Sequence, residues 1–514
     1  MLVSIFRGKF AFALKIIALL LVNSILVMLA QQALASGEYA ISIFLAVATL
    51  SINFVYLTKR SVPLKFFLPG LLFLLAFVVG PVLYTLAMSG FTYQTGNTLS
   101  KPESIIQLQK NAIQQDSNQT IFDVTIGKNG SNELGVIYFD SLTNEYAIST
   151  EKDRTVEPAS TIVKNEYDIP SSSPNFEALT EVELAALDAQ IPKLKFYYND
   201  ELYLGLEGFE AASIYEQTLK FDAASGDFKS LINSDIYRDN GRGNFANINN
   251  PEDILQPGWR TPIWFENYTK LFTDQRLRTP FIQVFLWTIS FAGLSVLTTF
   301  ALGLLLAIAL NKAIRGRRFY RSILILPYAM PSVMSILIWG GMFDTDFGAI
   351  NNLFGTHIAW FQNAAFARTA VIVVNLWLGF PYFYLVASGA LQAIPAELSE
   401  AAAIDGASPR QIFNKITLPL LLKILSPLLI ASFAFNFNNF NLIYLLTGGG
   451  PIAQLDGEIA GSTDILISYT YKIAFNQGNS NLGLASAISV LIFLLVASIS
   501  LYGLKKSKVL DDFV

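Results

Sequence analysis

Three apolar stretches in the second half of the chain carry polar and aromatic residues at helical spacing. In NLWLGFPY, Asn375, Gly379 and Tyr382 stand at positions i, i+4 and i+7, which share one face of a helix. Amide and hydroxyl groups can pair with the hydroxyls of a sugar, and a site built to do so rejects analogues that lack them. A glycine on such a face leaves room for a sugar ring. The stripe therefore predicts a neutral, hydroxylated cargo.

The same arrangement recurs in two neighbouring apolar stretches. Polar residues at one angular position of a membrane helix mark a pathway or a partner helix. Interhelical hydrogen bonding is the alternative interpretation, and we favour it for Asn438 and Asn441, which fall on another face. The remaining predicted substrate residues are Tyr328 and Ser332 in ILPYAMPS, and Ser432, Asn436 and Asn439, with Phe435 at their edge, in SFAFNFNNF.

These stripes belong to long apolar runs that predict a polytopic, all-α membrane protein. The 514-residue chain is 53% hydrophobic and only 14% charged, whereas soluble domains carry about 25% charged residues. A membrane-spanning helix needs about 20 apolar residues. Eight segments meet this requirement: 10–30, 40–57, 66–89, 281–310, 319–343, 369–392, 419–447 and 484–503.

Alternate connections between these runs carry the positive charge, which predicts that both termini are cytoplasmic. The connection 344–366, for example, has no Lys or Arg, whereas the preceding one has Lys312, Arg315, Arg317 and Arg318. A cleaved signal peptide is the alternative for the first run. Its apolar core of about 20 residues exceeds the usual 7–15, so an uncleaved span is predicted.

Between the third and fourth runs lies an acidic segment that predicts a soluble, β-rich domain outside the cytoplasm. Residues 95–280 hold 16 basic and 28 acidic residues, whereas the rest of the chain holds 19 and 11. Turn residues at Asn129-Gly130 and Thr143-Asn144 predict hairpins. One helix is predicted over 176–191, and an amphipathic helix at the membrane interface in GWRTPIWFENYTKLFTD. The predicted organisation is spans one to three in 1–94, the insert in 95–278 and spans four to eight in 279–514.

The connection 395–419 predicts a cytoplasmic helix–turn–helix. The segment AELSEAAAI contains strong helix formers, and Gly406 can adopt the left-handed conformation that ends a helix. Ser408, with Gln411 three residues later, predicts a capping box for a second short helix that runs to Leu418-Pro419. An ordinary interhelical connection is the alternative.

The spacing within this connection resembles a known signature. The residues Glu400-Ala401-Ala402, Gly406, Ile416 and Leu418-Pro419 resemble the EAA motif of permease subunits of binding-protein-dependent ABC importers. The resemblance implies that the loop docks on an ATPase subunit, and that Glu400 and Gly406 transmit ATPase closure to the membrane helices. The implied coupling residues are Glu400, Ala401, Ala402, Asp405, Gly406, Ile416 and Pro419.

The resemblance extends to the layout of eight spans with a large insert, and it implies a type I importer permease core. The chain is similar to permeases whose cargo is maltose or maltodextrin. The nine predicted substrate residues match positions that contact the sugar in that group. The implied partners are a second permease subunit, an ATPase dimer and a periplasmic maltose-binding protein, for which the insert is a platform. The implied location is the bacterial inner membrane, with the insert in the periplasm.

The chain itself is predicted to be a transport subunit rather than an enzyme. It contains no G-x-x-x-x-G-K-[ST] loop, so ATP and Mg²⁺ are expected on the partner ATPase. It has no cysteine and one histidine, so neither a cofactor nor a metal is expected.

Other cargoes and other transport classes are the remaining alternatives. Another oligosaccharide or glycerol phosphate is an alternative cargo for the same class of importer. Glycerol phosphate is disfavoured, because the stripes hold no Lys or Arg to pair with an anion. An ion-coupled secondary carrier would need an ionisable residue at mid-span, and spans five to seven have only Arg321 and Lys423 near their ends. A membrane-anchored scaffold would leave the EAA-like loop unexplained.

Overall fold

The computed structural model describes residues 9–58, 62–115, 120–187, 194–199, 202–311, 315–452, 459–475, 478 and 480–506. It falls into two compact units, one ending at Met88 and one beginning at Ser89. In the described residues, seven helices are long and apolar enough to cross a membrane, and the number is eight if a bent pair of shorter helices is counted as one span. The predicted all-α polytopic fold with a β-rich insert is confirmed, whereas the predicted boundaries at 94/95 and 278/279 stay a prediction.

The first unit consists of three apolar helices. They are α1 (Lys9–Ala35), α2 (Tyr39–Leu57) and α3 (Val62–Met88), and α3 contains a π-helical turn at Leu75–Val79. Asn23 of α1 and Asn53 of α2 donate their amides to each other's carbonyl oxygens at 2.9 Å, because amides in apolar helices need a partner.

The insert contains a nine-stranded sheet and a four-stranded antiparallel sheet. Hairpins form at both predicted turns, since β2 (Ile121–Asn129) pairs with β3 (Leu134–Asp140) and β3 with β4 (Glu145–Thr150). The helix predicted over 176–191 is only partly correct. The segment begins with strand β8 (Phe176–Ala178), and its described helical part is α5 (Glu181–Leu187); residues 188–193 lie outside the described residues. The helices are α4 (Lys101–Asn111) and α5 (Glu181–Leu187). The strands are β1 (Ile113–Gln115), β2 (Ile121–Asn129), β3 (Leu134–Asp140), β4 (Glu145–Thr150), β5 (Arg154–Glu157), β6 (Val163–Lys164), β7 (Pro170–Ser172), β8 (Phe176–Ala178), β9 (Lys195–Tyr197), β10 (Leu202–Leu206), β11 (Ala211–Gln217), β12 (Leu219–Asp222), β13 (Asp227–Ser230), β14 (Ile236–Asp239) and β15 (Phe245–Asn247).

A buried carboxylate organises one edge of the large sheet. Asp140 accepts hydrogen bonds from Tyr198 and from the Leu142 amide, and it lies 2.8 Å from the Arg154 guanidinium. Burial acts to raise the pKa of Asp140, but these hydrogen bonds outweigh burial and hold that pKa below its usual range. The carboxylate therefore stays ionised and fixes the turn after β3.

The second unit carries the remaining membrane-length helices. A short helix, α6, lies within the segment for which an amphipathic helix is predicted. Apolar residues of α7 (Gln275–Ala309), α11 (Ala364–Ala393) and α14 (Phe440–Leu446) form one buried cluster, among them Phe291, Val374 and Leu442. The helices are α6 (Glu266–Thr273), α7 (Gln275–Ala309), α8 (Arg317–Ala329), α9 (Ser332–Met342), α10 (Ala349–Phe354), α11 (Ala364–Ala393), α12 (Ala396–Ile404), α13 (Pro409–Phe437), α14 (Phe440–Leu446), α15 (Leu466–Phe475) and α16 (Leu482–Lys506).

Two of the predicted spans are not single helices. The predicted span 319–343 consists of α8 and α9, which meet at an angle of 94°. Pro331 lacks the N–H that would continue the helix, and Met330 before it is extended. The predicted span 419–447 ends at Phe437, because Asn438 leaves the helical conformation and bonds its own side chain back to Ala434.

The connection 395–419 confirms the local predictions and corrects one boundary. Gly406 ends α12 with a φ of 85°, and Ser408 and Gln411 form the capping box. The second helix does not stop at Leu418-Pro419. A π-helical turn at Phe413–Thr417 accommodates Pro419, because the Leu418 amide bonds to Phe413, and the helix then continues to Phe437.

Candidate functional site

Four of the predicted substrate residues form one hydrogen-bonded cluster between α11 and the end of α13. Asn375 donates to the side-chain oxygen of Asn436 at 2.8 Å and accepts from Asn439 at 3.3 Å. Asn436 in turn donates to the backbone carbonyl of Ser432 at 2.8 Å. Asn375 and Asn436 are each only 5% exposed. The amides therefore satisfy one another, as buried polar groups must.

The break after α13 places Asn439 in this cluster. Our prediction put Ser432, Asn436 and Asn439 on one face of a continuous helix, which is wrong, because the helix ends two residues before Asn439. Asn439 reaches Asn375 from the N-cap position of α14 instead.

The predicted aromatic residues lie outside the hydrogen-bonded cluster. Phe435 is 69% exposed and Tyr328 is 59% exposed, while Tyr382 is half-buried against Phe383. Tyr328 and Ser332 belong to different helices, on either side of the 94° bend, so the i, i+4 argument for their shared face is wrong. Both residues point away from the core and are available to a ligand or a partner chain.

Gly379 lies where α11 crosses α7. A Cβ atom at this position would stand 2.8 Å from Cγ2 of Thr299 and 3.5 Å from its Cβ. Gly303, on the next turn of α7, also allows the two helices to approach closely, since a Cβ there would stand 2.7 Å from the Cβ of Phe383. In this conformation the space beside Gly379 holds the Thr299 side chain, a contact between distant segments that the sequence pattern does not indicate.

A cavity of about 350 Å³ lies at the start of α11, away from the asparagine cluster. Its lining includes Trp287, Arg368 and Asp464 but none of the predicted substrate residues. Arg368 stacks over Trp287 at 4.6 Å and donates to the Ser462 carbonyl at 2.8 Å. The first contact joins α11 to α7, and the second fastens the segment before α15 to α11.

A buried ion pair in the same region was not predicted from the sequence. Asp464 is fully buried and lies 2.7 Å from Nζ of Lys472, and it also accepts hydrogen bonds from the Gly461 amide and the Ser468 hydroxyl. The only local signal is an acid and a base eight residues apart in TDILISYTYK. Such a spacing does not place the two groups together without the helix α15.

The predicted coupling residues occupy an exposed helix and the start of α13. Glu400, Ala401, Asp405 and Gly406 are exposed, and Ile404 on the same helix is 87% exposed. The carboxylate of Glu400 has no salt bridge or side-chain hydrogen bond within the described part of the chain. The remaining coupling positions are Ala402 and Ile416, which are half-buried, and Pro419, which is exposed.

Part of the second unit matches a known family model. Residues 299–507 match the family described as "Binding-protein-dependent transport system inner membrane component". The match begins at Thr299 and spans α8 to α16, so it includes both the asparagine cluster and the connection 395–419.

Relatives extend the likeness to nearly the whole chain. The "Maltose/maltodextrin transport system permease protein MalF" of Vibrio parahaemolyticus is 35% identical over 499 residues, which cover 93% of this chain and 91% of that protein. The protein of the same name from Escherichia coli K12 is 35% identical over 500 residues, covering 93% of each. A chain from a crystal structure of a bacterial ABC transporter for the acidic polysaccharide alginate is 22% identical, with a TM-score of 0.41 over 48% of this chain and 84% of that one.

Proposed function

The chain belongs to the family of MalF permeases of maltose/maltodextrin transport systems, and from that premise we propose how its residues move a sugar. It is the permease subunit of an ATP-driven importer and not itself an enzyme. Maltose or a maltodextrin crosses the membrane by alternating access. The asparagine cluster holds the sugar, and the connection 395–419 couples it to ATP hydrolysis.

The hydrogen-bonding pattern of the asparagine cluster supports the sugar-binding half of the proposal. Exchanging one amide–amide hydrogen bond for an amide–hydroxyl bond costs little, because each is worth only about 1 kcal/mol net. Asn375, Asn436 and Asn439 can therefore pair with one another in one state and with sugar hydroxyls in another. The proposed substrate residues are Tyr328, Ser332, Asn375, Gly379, Tyr382, Ser432, Phe435, Asn436 and Asn439.

The exposed aromatic rings support a sugar rather than an ion. Phe435 lies next to Asn436 in sequence and offers a ring face for the C–H groups of a sugar. No Lys or Arg stands among the nine residues, so an anionic cargo such as glycerol phosphate would lack a countercharge. Another neutral oligosaccharide is the remaining alternative, and competition of unlabelled sugars against labelled maltose distinguishes the two.

The continuity of α13 supports the coupling half of the proposal. Its 29 residues span roughly 40 Å, with Ser408 capping one end and Asn436 near the other. A movement of the connection 395–419 is therefore carried along one helix to the asparagine cluster. We propose that Glu400, Ala401, Ala402, Asp405, Gly406, Ile416 and Pro419 form the contact with the ATPase.

The proposed assembly places the remaining functions on partner chains. A MalG-like second permease subunit completes the pathway, and a MalK-like ATPase dimer binds ATP and Mg²⁺. A periplasmic maltose-binding protein delivers the sugar to the insert. The chain lies in the bacterial inner membrane with both termini cytoplasmic and the insert in the periplasm; the domains are 1–94, 95–278 and 279–514.

The test is uptake of radiolabelled maltose by the complete importer, with Asn436→Ala and Glu400→Ala measured side by side. We expect Asn436→Ala to lower uptake by at least about tenfold while the complex still assembles, because sugar hydroxyls lose their partner. Glu400→Ala should abolish sugar-stimulated ATP hydrolysis or release the ATPase. Asn441→Ala is the matched control, because Asn441 is an exposed asparagine on α14, outside the cluster. Maltose uptake that persists without the ATPase subunit would refute the proposal.

A further inference from the structure

Four arginines cluster at the start of α8, with no countercharge among the residues that the structure describes. Arg315, Arg317, Arg318 and Arg321 stand within seven residues, and that segment contains no acidic residue. No carboxylate in the described residues lies within 4.0 Å of any of these guanidinium groups. The Nε atoms of Arg317 and Arg321 are buried and have no hydrogen-bond partner among the described residues. This surface therefore has the electrostatic character of an anion-binding site.

An exposed apolar stripe continues from the arginines along the same helix. Phe319, Ile323 and Leu326 stand at i, i+4 and i+7 and are 66%, 49% and 60% exposed. A separate pair, Leu324 and Ile325, packs into the buried core. Helix α8 therefore has one apolar side that the protein covers and a second that it leaves open.

The bend between α8 and α9 limits how the pair can lie in a bilayer. Helices of 13 and 11 residues are roughly 20 Å and 16 Å long, so neither crosses the hydrocarbon core of about 30 Å alone. With an angle of 94° between them, only one can lie along the membrane normal. The arginines place the start of α8 at the cytoplasmic surface, so the Phe319–Ile323–Leu326 stripe runs from that surface toward the hydrocarbon region.

We propose that this surface, formed by the four arginines and the Phe319–Ile323–Leu326 stripe, binds the headgroup and acyl chain of an anionic phospholipid. The guanidinium groups pair with the phosphate, for which their forked donors are suited. The acyl chains lie along the apolar stripe, and the rings of Phe319 and Tyr320 occupy the boundary between the two regions, where aromatic side chains are enriched. An acidic protein surface would satisfy the arginines but would leave the apolar stripe uncovered.

Native mass spectrometry of the complete importer tests this inference by counting bound lipids. The purified complex is titrated with phosphatidylglycerol or with phosphatidylcholine, which has the same chains and no net charge. We expect phosphatidylglycerol to bind at least about tenfold more tightly, and changing all four arginines to Gln to remove that preference. Changing all four to Lys should retain most of it, because the positive charges remain.

Arg276→Gln with Arg278→Gln is the matched control. These two arginines are exposed near the start of α7, so the control removes positive charge from a different surface. Equal affinity of the wild-type importer for both lipids would overturn the proposal, as would a four-arginine variant that keeps its preference for phosphatidylglycerol. If the four-Gln variant loses the ATPase or the second permease subunit while its phosphatidylglycerol binding is unchanged, the arginines belong to a protein contact instead.

Discussion

Two buried polar clusters in the second unit are built from different chemistry. The cluster of Asn375, Asn436 and Asn439 is neutral, and each member is bonded to another member or to the backbone. The cluster around Asp464 contains an ion pair with Lys472 at 2.7 Å. Leaving a neutral buried amide unpaired costs about 1–3 kcal/mol, whereas leaving a buried charge unpaired costs about 3–5 kcal/mol. The first cluster is suited to exchanging partners during transport and the second to holding a fixed structure.

The surroundings of Asp464 show what the ion pair fixes. Asp464 accepts from the Gly461 amide at 2.7 Å, and a Cβ on Gly449 would stand only 1.9 Å from its Oδ1 atom. Gly449 also has a φ of 83°, which favours glycine. The carboxylate thus joins the turn after α14 to the start of α15, which packs near α7 through the bond from Leu466 to Thr288.

The largest expected effect comes from removing one member of the ion pair. Asp464→Ala leaves Lys472 without its partner, and we expect the free energy of unfolding to fall by about 3–5 kcal/mol. The yield of folded protein in membranes and its thermal midpoint in detergent measure this loss. Asp346→Ala, a change at an exposed loop carboxylate, is the control.

A second variant separates the ion pair from other effects at this position. Asp464→Ala combined with Lys472→Met removes both charges, so much of the stability should return. A single Asp464→Ala variant as stable as the wild type, with normal maltose uptake, would remove the distinction between the two clusters.

The next largest expected effect is on transport rather than on stability. Asn375→Ala removes the donor to Asn436 and the acceptor for Asn439, which costs about 1–3 kcal/mol of folding stability. If the cluster also pairs with sugar hydroxyls, maltose uptake should fall by at least about tenfold in variants that still fold. Uptake and thermal midpoint are measured on the same preparation, with the exposed Asn441→Ala as control. Lower stability with unchanged uptake per folded importer would make the cluster an interhelical bond only.

Local sequence signals predicted the elements of the fold that depend on few neighbours. The hairpin turns at Asn129-Gly130 and Thr143-Asn144 and the caps at Gly406 and Ser408 are confirmed, since each depends on the conformations and hydrogen bonds of adjacent residues. Apolar runs predicted the membrane-length helices for the same reason.

Features that depend on distant contacts were not predictable in this way. Pro327 and Pro331 are visible in the sequence, but whether such residues kink a span or break it depends on packing against other helices. The ion pair of Asp464 and Lys472 requires α15, for which no helix was predicted. Asn439 lies beside the other predicted asparagines, as expected. It reaches them from the turn between α13 and α14 and not along one face of a helix.

The smallest expected effect concerns the contact beneath the asparagine cluster. Gly379→Ala places a Cβ 2.8 Å from Cγ2 of Thr299, and we expect the crowding to cost about 1–3 kcal/mol. Thr299→Ser removes that methyl group, so the double variant should recover the wild-type thermal midpoint. Its maltose uptake then shows whether Gly379 does more than allow α7 and α11 to pack. Recovery of uptake together with stability would make Gly379 a packing residue. Stability that returns without uptake would place Gly379 against the sugar, together with the asparagine cluster that exchanges hydrogen-bond partners during transport.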